Sequence, residues 1–123
     1  LGLLNYRLGR FQPALLNFKR ITGEFPRSEA GEMSAYMQGW CHYMLGEDAL
    51  AVASFQKFLQ TCPDTPRAPD AQFWLAYCRK ELGRDREAWD AFLWLTNSRP
   101  ESNYAPLAEA MLRSMAQTSA DGQ

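Results

Sequence analysis

Three times along the chain a small apolar residue is followed four positions later by phenylalanine and three beyond that by a large apolar residue: Ala14, Phe18, Ile21; Ala51, Phe55, Phe58; Ala88, Phe92, Leu95. Steps of four and three put these positions on one helical face, so the spacing predicts three amphipathic helices. The interval between corresponding residues is 37 in every case, and other columns keep it: Leu8, Leu45, Leu82; Gly9, Gly46, Gly83; Pro26, Pro63, Pro100; and the hydroxyl residues Ser28, Thr65, Ser102. A fixed period of this length marks stacked supersecondary units.

Each column has a physical task. Glycine after leucine stands where a helix stops and the chain reverses, because it takes the left-handed backbone conformation without a Cβ clash. Proline beyond the apolar stripe ends the helix by removing an N–H and restricting the residue before it. Ser28, Thr65 and Ser102 are placed to accept from free N–H groups as the next helix begins. Pro13 falls in a first helical turn, where its cost is small. The acidic residues Glu47, Asp48, Asp85 and Glu87 suit the N-terminal ends of helices.

The other half of each unit is also helical. SAYMQGWCHYML and AQFWLAYCRKEL share one register, with Gly39 over Ala76 and Trp40 over Tyr77, and Gly2 and Leu3 as the corresponding pair at the start. The small residue marks a close helix crossing. Pro69 and Pro106 align, each after Ala, and place the starts of two helices. Residues 106 to 117 put Leu107, Met111, Leu112 and Met115 on roughly one face, as a closing helix would, before a polar TSADGQ tail. The expected architecture is all-α: one solenoid domain over 1–117 with units of about 1–27, 28–64 and 65–101, a cap helix over about 103–117 and a flexible tail over 118–123.

With the Leu-Gly turn, the Ala and Phe of the second helix, the small residue of the first and the closing Pro, the chain resembles the tetratricopeptide repeat family, over residues 1 to about 116. Its unit exceeds the family's usual ~34 residues. PRS, PDT and PES after the second helices and the stretch TPRAPDAQFWLAYCRKELG are similar to bacterial cell-envelope members, those of the Tol-Pal cell-division and outer-membrane barrel-assembly groups. The resemblance implies a right-handed superhelix whose first helices line a concave groove that binds a protein or peptide partner. Its positions become Leu3, Tyr6 and Arg7; Met33, Tyr36, Trp40, Tyr43 and Met44; and Asp70, Phe73, Tyr77 and Lys80, with Met37 and Trp74 beside them. The family's carboxylate clamp, built on Lys and Asn, is not expected, since Tyr36, Trp40, Phe73 and Tyr77 stand there. Rigid aromatic rings suit peptide contact, though a stripe of them at helical spacing also serves to pack helix on helix.

Charge narrows the partners. Thirteen basic against fourteen acidic residues leave a net charge of −1, which draws the chain toward neither nucleic acid nor anionic membrane. No run is apolar enough for membrane insertion, and LGLLNYRLGR lacks the features of a signal peptide. A start at Leu1 is compatible with a longer parent chain, and the short first helix with cover for its edge by upstream helix or by a second copy. A periplasmic or outer-membrane-associated location follows from the resemblance alone. Cys41, Cys62 and Cys78 are odd in number and without CxxC spacing, so free thiols are expected. No cofactor or metal is expected: His42 is the only imidazole, it points about 100° from Cys41 on a helix, and Cys41, His42 and Cys78 lack a fourth ligand. The function class is a non-catalytic interaction scaffold, with a structural spacer or self-assembly module as the alternative. Trp89 and Trp94 break their columns, one suited to pack on the cap helix and the other to form a second contact face.

Overall fold

The computed structural model describes residues 2–121, and among these lie seven α-helices and no strand. The chain divides into two compact units, Leu1–Thr65 and Pro66–Gln123.

The first unit holds α1 (Gly2–Arg7), α2 (Phe11–Glu24), α3 (Glu29–Met44) and α4 (Asp48–Thr61), each packed on the next. Gly9 and Gly46 have φ of +75° and +77° and turn the chain. At Gly46 the reversal closes through two backbone bonds, Gly46 N–H to the Tyr43 carbonyl at 3.0 Å and Glu47 N–H to that of His42 at 2.8 Å, which satisfies carbonyls that the helix end leaves open. Ser28 caps α3 as expected, its Oγ accepting from Gly31 N–H at 2.9 Å. Pro13 sits in the first turn of α2, where the helix needs no donor from it.

Burial follows the repeat columns. Ala14, Phe18, Ala51, Phe55 and Phe58 are all buried. Gly2 lies against the ring of Phe18 and Gly39 against that of Phe55, where an added Cβ would stand 2.7 and 2.5 Å from ring carbons. The crossing positions are small because phenylalanine from the paired helix occupies the space. Gln38 Nε2 donates to Thr22 Oγ1 at 2.9 Å and ties α3 to α2.

The second unit holds α5 (Ala68–Glu81), α6 (Asp85–Ser98) and α7 (Ala105–Asp121). Its core gathers Phe73, Ala76, Ala88, Phe92, Leu95 and Ala108, with Met111, Leu112 and Met115 packed partly against it. Gly83 repeats the reversal at φ +81°, with Arg84 N–H reaching the Arg79 carbonyl at 2.9 Å. Asp85 and Glu87 occupy the first turn of α6.

Three expectations are corrected. Thr65 does not cap α5, whose N-cap is Arg67: Pro66 and Pro69 shift the helix start past it, and the Thr65 hydroxyl donates instead to the Glu32 carboxylate of α3. Leu107 is exposed and Ala108, not Leu107, faces the core, because α7 begins at Ala105 and sets its face one residue on. The closing helix also continues through Asp121, beyond the expected end at 117, since nothing in its sequence interrupts it; Leu1, Gly122 and Gln123 lie outside the described residues.

Candidate functional site

The expected binding residues divide into buried and accessible sets, and the division follows helical angle. Tyr36 and Phe73 are 8% and 5% exposed and belong to the cores of their units. The Tyr36 ring centre lies 5.8 Å from Phe55 and 5.6 Å from Phe58; that of Phe73 lies 5.5 Å from Phe92. Four residues further along each helix, Trp40 and Tyr77 are only partly buried, since a step of four turns them about 40° past their predecessors.

In the first unit Trp40 and Tyr43 meet edge to face at 5.9 Å on α3. Tyr6 of α1 stands edge-on to Phe11 at 5.5 Å, and burial, with Cys41 adding to it, raises its phenol above the ordinary pKa. It therefore remains a neutral hydroxyl at physiological pH. Met33 is partly buried and Met37 buried, while Leu3, Arg7 and Met44 are exposed. The polarizable methionines and the ring edges give adaptable and rigid contact area side by side.

In the second unit Asp70, Trp74, Tyr77 and Lys80 are all partly buried on α5. Trp74 and Tyr77 are 5.6 Å apart, and Trp74 Nε1 donates to the Tyr104 hydroxyl at 3.2 Å. The Tyr104 ring itself lies tilted against that of Phe73, 5.1 Å between centres. Pattern reading missed Tyr104: one period back stands Arg67, two back Ala30, so no aromatic column pointed to it. It noted Ala68 and Ala105 only as the residues before aligned prolines, and missed that with Gly31 they form a column that is small and buried throughout, as is the unread column Ser34, Ala71, Ala108. Their signal was available as size rather than hydrophobicity.

Trp89 joins Lys80, Arg86, Met115 and Thr118 in lining a cleft of about 330 Å³ beside α7, whereas Trp94 is 44% exposed on α6. The residues with catalytic chemistry lead elsewhere. His42 is buried, its Nδ1 3.0 Å from Glu47 Oε1, so the ring is held by the turn that follows its helix. Cys41 is fully buried, and burial pushes its thiol up to about 11, leaving no thiolate for nucleophilic attack near neutrality. All three cysteines are free, and among the described residues no group of His, Cys, Asp and Glu side chains gathers as a metal site. Among them too, no helix is long and apolar enough to cross a membrane.

No curated protein matches the chain. The profile of a family described as tetratricopeptide repeat matches residues 34–65 and 70–102, together more than half of the sequence. Each stretch runs from a first helix with its small crossing residue, Gly39 or Ala76, through the left-handed glycine turn and the second helix with its buried Ala and Phe, to the closing proline and beyond. On that match and on the helix pairs it spans, the chain belongs to the tetratricopeptide repeat family, whose repeats mediate protein–protein interaction and are typically non-catalytic scaffolds.

Proposed function

We propose that the chain holds a segment of a protein partner against the accessible aromatic faces of its first helices, as part of a bacterial envelope assembly. The observation that carries the binding faces is a pinned but partly open ring pair in each unit taken by itself, Trp40 with Tyr43 on α3 and Trp74 with Tyr77 on α5. Rings already fixed by their neighbours lose little entropy when a peptide covers them, so their area converts efficiently into affinity. Tyr6, Arg7, Met33, Met44 and Lys80 would extend the contact. The envelope setting is supported by the resemblance of the PRS, PDT and PES turns and of the third repeat.

The test is a displayed peptide library panned on the intact chain. Retained peptides are expected to lose binding to the Trp40→Ala, Tyr77→Ala double variant while its helical circular dichroism and melting remain those of a folded protein. Unchanged peptide binding in the folded double variant would refute the proposal.

A second reading, a spacer or self-assembly module, is favoured by the exposure of Leu3, Leu8 and Leu16 on and beside α1 and α2, with Leu16 at 69%. A second copy covering this edge would appear as a concentration-dependent dimer in sedimentation, reduced by Leu16→Lys. A monomer at all concentrations removes it.

A further inference from the structure

We infer that the N-terminal end of α5 is a receptor for one positively charged side chain of the bound segment, with arginine the best fit by shape. The inference deepens the proposed peptide-binding role, on which it rests.

A cleft of about 430 Å³ opens there, lined by Pro66, Pro69, Asp70 and Tyr104 together with the Arg99–Glu101 corner. Its chemistry favours a cation. The two prolines have no N–H to offer an anion. Arg99 and Glu101 approach each other at 3.9 Å and offset one another's charge. The Tyr104 hydroxyl accepts from Trp74 and its backbone N–H donates to Ser102 Oγ at 3.1 Å, so the ring is anchored at both ends.

Asp70 supplies the charge. Desolvation raises its carboxyl above its ordinary value, although Arg67 and a bond from its own backbone N–H act in the opposite direction. The groups already around it therefore under-compensate the ionised form. A guanidinium would restore that compensation, presenting its N–H fork to the carboxylate while its flat face lies on an aromatic ring. The receptor belongs to the second unit alone, because Met33 stands at the equivalent register position of the first.

The experiment titrates the intact, ¹⁵N-labelled chain with N-acetyl-arginine methylamide, and in parallel with its uncharged isostere N-acetyl-citrulline methylamide. Arginine is expected to shift the Asp70 and Tyr104 amides and the Trp74 indole N–H, and citrulline to leave them in place. Asp70→Asn should weaken the arginine response by roughly tenfold or more, the scale of a lost charge-assisted bond, without lowering the melting temperature, since it removes a desolvated charge. Equal shifts from both compounds, no shift from arginine, or an undiminished response in Asp70→Asn would each overturn the assignment. If the arginine receptor fails while library peptides still bind, the scaffold reading stands; if arginine binds but no peptide is ever retained, the scaffold reading alone fails.

Discussion

Single atoms decide several positions in this chain. Gly46 carries φ +77° with open space around it, so its constraint is conformational and not steric. Gly46→Ala is expected to destabilise the fold by about 1 to 2 kcal/mol, the cost of a left-handed L-residue, read by chemical denaturation with helical content unchanged. Gly39 has the opposite constraint: its backbone is ordinary, but a Cβ would meet the fully buried Phe55 ring. Gly39→Ala should cost about 1 to 3 kcal/mol through overpacking, and Phe55→Leu in the same chain should recover part of that, so the two changes would be non-additive. Gly31 has a third origin, because an added Cβ would collide with the Phe25 backbone carbonyl. Cys41 gives a pH signature. Its thiol is raised from 9.0 to about 11 by burial, so the folded state holds the proton more tightly than the unfolded one. The associated stability is complete below pH 9 and declines as pH rises through 11; Cys41→Ala should flatten that decline in melting curves recorded across the range.

At the scale of elements, the starts and stops of helices were the most legible part of the sequence. Glycine and proline act through local sterics, which need no tertiary information, and the turns at residues 9, 46 and 83 lie where the columns put them. Caps were less legible, because a hydroxyl near a helix start has several partners within reach. Ser28 caps α3 while Thr65, one period on, bonds Glu32 of α3 instead. Ser28→Ala is therefore expected to destabilise by about 1 kcal/mol, with hydrogen exchange accelerated first in the opening turn of α3. The expected binding residues were legible as a set but not individually: a repeat column identifies Tyr36 with Phe73 and Trp40 with Tyr77, yet burial of the first pair and only partial burial of the second depend on where the paired helices lie. Tyr104 and the cleft at Asp70 left no mark in the periodicity, since both arise where a loop folds back on a helix.

For the molecule as a whole, the period dictates a modular division of stability, in which each unit draws on its own core. Phe92 is fully buried in the second unit with Phe73, Ala76 and Leu95 around it. Phe92→Ala should remove about 3 to 5 kcal/mol from that core, and the loss of amide protection is expected to be largest in α5, α6 and α7. Sequence alone determined the all-α class, the 37-residue period, the turn glycines, the Ala and Phe columns of the second helices and the near-zero net charge. Each of these is set by backbone sterics, by helical periodicity or by summed charge, which are properties of the chain before it folds. Tertiary structure alone decided which rings stay accessible, which hydroxyl caps and which bridges, and how Asp70 and Tyr104 come to share a cleft. Those outcomes depend on distances between segments remote in sequence, and only packed helices fix such distances.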